Sequence, residues 1–115
     1  MQAFVLPRFR VVHGSEIAFG PGKARWLALV AETGSIGEAA RRMDMSYMRA
    51  WSLCRTMNRA FSSPLIETVR GGHDRGGAQL TATGRRVLEL YHRMEQKGLK
   101  VVQTDWRRLQ KLLRE

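Results

Sequence analysis

A mainly α-helical chain with small β-hairpins is the fold class this sequence predicts. Three observations predict it. Two short helix signals stand back to back between Gly34 and Asn58. An alternating β-branched run and a short returning run then flank the glycine-rich stretch Gly71 to Gly77. From Thr81 onward an apolar repeat at three-to-four spacing fills the rest of the chain. Taken in that order, these are the parts of a winged helix-turn-helix with a long C-terminal helix.

Length and charge narrow the reading. At 115 residues the chain fits a single domain with one core. Hydrophobic residues make up 43%, enough to fold. Lys and Arg number 20 against 10 Asp and Glu, a net charge of +10, which points to a polyanionic partner. Nucleic acid and an anionic membrane are the candidates. No apolar run approaches the ~18 residues of a membrane span. The start, MQAFVLPRFR, lacks a charged segment followed by a long apolar core, so no signal peptide is expected. Cys54, the single cysteine, excludes an internal disulfide and falls on an inner helix face. A small buried hydrophobe is expected there, in a chain suited to a reducing cytoplasm.

Taken in order, residues 1–8 form a short and partly disordered lead. Residues 9–20, FRVVHGSEIAFG, place two apolar clusters around His13-Gly14-Ser15-Glu16 and predict a β-hairpin. Pro21 suits the entry to a helix running from about Gly22 or Lys23 to Glu32. Trp26, Leu27, Val30 and Ala31 are its expected apolar face, and Gly34 its left-handed cap. Ser35 with Glu38 makes an S-x-x-E capping box. Ile36, Ala39, Ala40 and Met43 then repeat at the spacing of one helix face. Asp44 and Met45 break that pattern, and Ser46 caps a second helix from Tyr47 to Arg59 or Ala60.

In that second helix Ala50, Leu53, Cys54 and Met57 should pack inward. At 100° per residue Met48, Ser52, Arg55 and Arg59 share the opposite face, with Arg49 and Thr56 on one flank and Trp51 and Asn58 on the other. Pro64 prevents the helix from continuing. Leu65 to Arg70 reads as a strand, Gly71 to Gly77 as a mobile basic tip, and Ala78-Gln79-Leu80 as the returning strand. Together, residues 65–80 are the wing. Thr81 caps a helix over 82–113, whose apolar stripe includes Val87, Tyr91, Met94, Val101 or Val102, Trp106, Leu109, Leu112 and Leu113. That helix outruns the body, so part of its stripe is expected to meet a partner, most simply the same helix in a second copy. Gly98 is expected to mark a kink or break.

A short helix, a tight turn and a second helix with a basic outer face suit the DNA major groove. An ordinary helical hairpin with a solvated face remains the other reading. If DNA is the partner, affinity comes mostly from phosphates and specificity from base edges. Arg49 and Arg55 can each make a bidentate contact with guanine, and Ser52 can reach a base or a phosphate. Tyr47 either bonds a phosphate, packs on sugar or seals the core. Trp51 either contacts DNA or packs between helix and wing. Arg70, His73 and Arg75 are the wing candidates. Arg41, Arg42, Arg85 and Arg86 either touch phosphate or lie on solvated faces. His13, His73 and His92 have no metal-ligand spacing, no catalytic pair is recognisable, and no cofactor is expected.

The residues also carry a resemblance. Gly34-Ser35-Ile36 through Ala39-Ala40, Ser46-Tyr47, Ala50-Trp51, Met57-Asn58, Gly71-Gly72, Gly76-Gly77-Ala78 and Leu80-Thr81 with Gly84 closely resemble the N-terminal DNA-binding domain of ModE-type molybdate-responsive regulators. More distantly they resemble LysR-type regulators. The likeness covers about residues 8–100. It implies a transcriptional regulator, homodimeric through its terminal helix, on a palindromic operator in double-stranded DNA, in the cytoplasm and linked to molybdate metabolism. It implies that Ser46, Tyr47, Met48, Arg49, Trp51, Ser52 and Arg55 lie on or beside the recognition surface, with Gly71 to Gly77 as the wing. The sequence departs from the family in three places. The C-terminal molybdate-binding region is not within residues 1–115, so direct oxyanion sensing is not expected of them. Met48 stands where a basic or polar residue is the rule, which predicts a different base preference. Arg75 replaces a glycine in the wing and would add a phosphate or minor-groove contact. Two other readings stay open: a protein-interaction module on the same fold, and a sequence-indifferent nucleoid-type binder.

Overall fold

The computed structural model describes residues 2–69 and 77–114. Arg70, His73 and Arg75 lie outside these residues. The element order is β1 (Val11–His13), β2 (Glu16–Phe19), α1 (Pro21–Thr33), α2 (Ile36–Arg42), α3 (Tyr47–Ala60), β3 (Ile66–Val69), β4 (Gly77–Leu80), α4 (Ala82–Val101) and α5 (Gln103–Gln110). The strands form two separate antiparallel hairpins. This is the winged helix-turn-helix with a C-terminal helical extension.

The local signals act as chemistry requires. Gly14 takes φ 66° and turns the first hairpin. Pro21 opens α1, and Gly34 closes it at φ 68° with its N–H on the Val30 carbonyl. Ser35, Ser46 and Thr81 cap α2, α3 and α4 by accepting from the N–H of Glu38, Arg49 and Gly84 respectively. The expected capping box is only half made. Glu38 does not return to the Ser35 N–H, which bonds Thr33 Oγ1 instead. Its carboxylate is held by Arg41 and Arg42, whose charges outbid a neutral amide for it.

The core is one cluster. Trp26, Leu27 and Val30 of α1 meet Ile36, Ala39 and Ala40 of α2, Ala50, Cys54 and Met57 of α3, and Tyr91 of α4. Phe19 brings the first hairpin in, edge-on to Tyr91 at 5.1 Å and to Phe61 at 6.1 Å between ring centres. Fully burying each large side chain contributes about 1.5–3 kcal/mol before entropy is counted. Ala31, expected on the inner face of α1, is exposed, and Ala24 is buried in its stead.

Two further differences concern the chain ends. Gly98 does not interrupt α4, which runs unbroken to Val101. The Phe9 ring occupies the place a side chain would take. A Cβ at Gly98 would stand 2.6 Å from Cζ of Phe9. The segment before the hairpin is therefore fastened at its end, where Tyr91 Oη also donates to the Phe9 carbonyl at 2.6 Å. The helix breaks at Val102 instead, with φ −90° and ψ 2°. Val101 and Val102 are adjacent β-branched residues, weak helix formers, and Gln103 Nε2 bonds the Leu99 carbonyl freed at that end, at 3.0 Å. The single helix expected over 82–113 is thus two helices.

Its protrusion decides the shape. The radius of gyration is 17.2 Å, against about 13 Å for a compact chain of this length. No residue of α5 is buried.

Gly84 holds α4 to the wing. A Cβ there would sit 2.1 Å from the Leu65 carbonyl oxygen, which is backbone and cannot step aside. In an open helix Gly→Ala stabilises by about 1 kcal/mol. Here the sign reverses: Gly84→Ala is expected to destabilise by about 1–3 kcal/mol, as overpacking does, read as a fall in thermal midpoint. A rise would mean that α4 does not approach Leu65 this closely.

Candidate nucleic-acid interface

α2 and α3 are joined by a turn at Met43 to Met45. Asp44 adopts φ 54°, a left-handed conformation that a short polar side chain tolerates best after glycine. The N–H of Met45 returns to the Ala40 carbonyl at 3.0 Å, closing the turn. Ser46 then starts α3 in a direction set by this turn.

One side of α3 is buried through Ala50, Cys54 and Met57. Tyr47, Met48, Arg49, Ser52, Arg55, Thr56 and Arg59 are exposed. Met48, Ser52 and Arg55 follow one another at i, i+4 and i+7 on the exposed face, with Arg49 beside them. Met48 is 82% exposed and Tyr47 58%. The Tyr47 ring is therefore not core. It leans on Trp51, edge-on at 6.1 Å, and touches Gly37, whose Cβ would lie 3.7 Å from Cε1. Trp51 is half-buried and packed against the core. Together with Ser35, Tyr47, Thr68 and Gly77 it lines a cleft of about 380 Å³ between α2, α3 and the wing.

The arginines fall into two groups. Arg41 pairs with Glu38, Arg42 reaches Glu32 at 2.5 Å, and Arg86 lies 3.5 Å from Glu89. Arg85 donates to the Leu80 carbonyl at 2.9 Å, so it ties the wing to α4. Arg49, Arg55 and Arg59 have no ion pair among the described residues. Exposed pairs contribute little to stability, but they do decide which cations point outward uncompensated.

Asn58 is the functional-site residue that sequence reasoning placed wrongly. It was expected beside the exposed stripe of α3. Its amide faces inward and holds the base of the wing. Oδ1 accepts from the N–H of Leu65 at 2.8 Å and of Ile66 at 3.1 Å, and Nδ2 donates to the Ile66 carbonyl at 3.0 Å. An asparagine eight residues before a strand carries no local sign of this. From there β3 pairs with β4 in register Ile66↔Leu80, Glu67↔Gln79, Thr68↔Ala78 and Val69↔Gly77. The N–H of Ala78 bonds the Gly34 carbonyl at 2.9 Å, fastening the wing to the α1–α2 junction as well.

Cys54 sits behind this surface. Burial pushes its thiol up from the usual range, partly opposed by the Trp26 indole and the Arg55 charge. The Trp26 Nε1 has no hydrogen-bond partner of ordinary geometry, so its contact with the sulfur is a weak one. A raised thiol pKa means little thiolate at neutral pH, which suits packing and not reactivity. No group of His, Cys, Asp and Glu able to hold a metal occurs among the described residues. No helix among them is long and apolar enough to cross a membrane.

Comparison with known proteins follows the same outline. Residues 22–85 match the model for "Bacterial regulatory helix-turn-helix protein, lysR family". The chain is 38% identical over 78 residues to the molybdenum transport protein ModE of Azotobacter vinelandii, covering 68% of this chain and 29% of that protein. It is 34% identical over 88 residues to the DNA-binding transcriptional dual regulator ModE of Escherichia coli K12, covering 74% and 34%. It is 36% identical over 76 residues to the molybdenum-pterin-binding protein MopB of Rhodobacter capsulatus, covering 66% and 28%. The chain thus spans about a third of the length of these relatives.

The Asn58 amide makes a direct prediction. Asn58→Ala leaves two N–H groups and one carbonyl half-buried and unpaired. It should cost about 2–4 kcal/mol, since each orphaned group loses about 1–3 kcal/mol when fully buried. Asn58→Asp keeps the acceptor and loses the donor, and should fall between. Urea unfolding of the three proteins measures the order. Equal midpoints would mean that the wing base is not held this way.

Proposed function

The chain belongs to the lysR family of bacterial regulatory helix-turn-helix proteins, and from that premise we propose that it is a sequence-specific regulator of transcription. It binds double-stranded DNA by laying α3 in the major groove, as a homodimer on a palindromic operator. The observation that carries this reading is the two-sided character of α3: an apolar side sealed in the core, and an exposed side bearing Met48, Arg49, Ser52 and Arg55. Arg49 and Arg55 read guanines by paired donors to O6 and N7. Ser52 bonds a base edge or phosphate. Tyr47 packs on sugar and phosphate beside Trp51. Arg70, His73 and Arg75 complete the contact from the wing. Affinity comes mainly from phosphate neutralisation by a chain of net charge +10. This is work done where the chromosome is, in the cytoplasm, and by binding, not by catalysis.

The partner copy is met through α4 and α5. Leu90 and Met94 of α4 and Leu109 of α5 are exposed there, and Leu112 and Leu113 are exposed just after α5 ends at Gln110. Two-fold symmetry then places the two α3 helices on half-sites ~10 bp, or a multiple of it, apart. The names of the relatives support a link to molybdate metabolism.

Fluorescence anisotropy on duplexes selected from a random library, against shuffled ones over a salt series, tests the reading. The selected duplex should bind ~10³-fold or more tightly near physiological salt. Arg49→Ala and Arg55→Ala should each remove about 10-fold or more of that preference. If selected and shuffled duplexes bind alike and weaken together with salt, the chain is a sequence-indifferent binder. If neither arginine matters to binding or to cellular function, it is a protein-interaction module. Sedimentation equilibrium should return twice the 13.1 kDa chain mass. Leu109→Glu should shift that toward one copy and weaken operator binding, because two half-sites are then no longer held together.

A further inference from the structure

We infer that Met48 is a reader of pyrimidine methyl groups, and that one position of each half-site is specified as thymine by its C5-methyl. The inference rests on the DNA-binding reading and names the chemistry that one part of the surface recognises. Met48 is the second residue of α3, after the Ser46 cap and Tyr47. In helix-turn-helix docking, the N-terminal residues of the second helix are the ones at base edges. The side chain is 82% exposed, more than its neighbour Tyr47 at 58%. Tyr47 is held back against Trp51 and Gly37. Met48 is therefore the most exposed large apolar side chain of α3, on a face otherwise made of Arg49, Ser52, Arg55 and Arg59.

A thioether neither donates a useful hydrogen bond nor carries charge. It cannot select among the donors and acceptors of the major groove. The one apolar feature on a base edge there is the thymine methyl. Methionine is flexible and polarisable enough to meet that methyl without demanding one geometry. Covering Met48 with a methyl removes apolar surface of both partners from water, whereas a phosphate or an amino group in the same place would be desolvated with no hydrogen bond in return. The arginines flanking Met48 read guanines, so the expected half-site carries a thymine next to a guanine.

Deoxyuridine differs from thymidine in the groove only by that methyl. Each thymine of the selected operator is replaced in turn by deoxyuridine, on both half-sites, and affinity is measured for the intact chain and for Met48→Ala. The substitution is at an exposed helical position, so folding is undisturbed. One thymine per half-site should weaken binding of the unaltered chain by about 3–10-fold on losing its methyl, an apolar contact of modest worth. Met48→Ala should itself bind the thymine operator about 3–10-fold more weakly, and for it that same replacement should change affinity less than about 1.5-fold. If a selected operator exists and no thymine responds to loss of its methyl, the inference is wrong and the regulator reading stands. If a thymine responds equally in Met48→Ala, another residue reads it and the inference is again wrong. If no operator can be selected at all, the DNA reading fails and takes this inference with it.

Discussion

The arrangement depends on the backbone of a single residue, Leu65. Its side chain is fully buried. Its N–H is taken by the Asn58 amide of α3, and its carbonyl by the N–H of Thr81 at 2.9 Å, at the entry to α4. Thr81 Oγ1 also donates to the Pro64 carbonyl at 2.6 Å. Gly84 lets α4 pass directly against the same peptide. A chain that has left a helix at Ala60 and turns through Pro64 carries unpaired backbone groups, and burying them unpaired is costly. Satisfying them from two different helices at once fixes α3, the wing and α4 relative to one another. The recognition helix is consequently braced from behind by polar contacts, in addition to the apolar packing of Ala50, Cys54 and Met57.

This node marks the boundary of what sequence reading reached. Much of what a few neighbouring residues govern was legible: the caps at Ser35, Ser46 and Thr81, the left-handed Gly34, the turn at Gly14, the two hairpins and the ends of α3, though not the break at Val102 or the half-made capping box at Ser35. Each is a local contest between backbone conformations, and residue type decides it. Asn58, Gly84 and Gly98 were not legible in that way. Asn58 looked like an outward polar residue because helical angle alone put it at the margin of the exposed face. Gly98 looked like a break because glycine is a poor helix former. Its actual reason is the Phe9 ring, 89 positions earlier in the sequence. Only tertiary approach distinguishes a glycine that weakens a helix from one that receives a neighbour. The exposed face of α3 was legible as a face. Which of its residues touches which base was not, because the groove is the other half of that geometry.

Charge is apportioned with the same economy. A net charge of +10 suggests arginines everywhere available, yet the structure commits several to its own scaffold. Arg41 and Arg42 are matched by Glu38 and Glu32, and Arg85 is tied to the Leu80 carbonyl. These tie α1 to α2 and β4 to α4. The cations left uncompensated among the described residues of the helix-turn-helix lie along α3 itself. A surface that merely attracted polyanions would gain by releasing all of them. One that discriminated among base edges would gain by keeping its strongest donors unpaired, as Arg49, Arg55 and Arg59 are among the described residues.

The terminal helices add a mechanical consequence. If two copies pair through α4 and α5, the distance between their α3 helices is set by the angle at which each α4 leaves its own body. That angle is held at the Leu65 peptide by Gly84 and Thr81, and again at the far side by Phe9 against Gly98 and Tyr91. Two fastenings separated along one helix resist rocking far better than one. The break at Val102 comes after both of them, so in such a pair α5 could adjust to the partner copy without altering the set of α4. Half-site spacing would then be dictated by the rigid part of the extension, and the strength of pairing by the adjustable part. In a pair of copies, that division would let a chain with a small core hold two reading heads at a fixed separation.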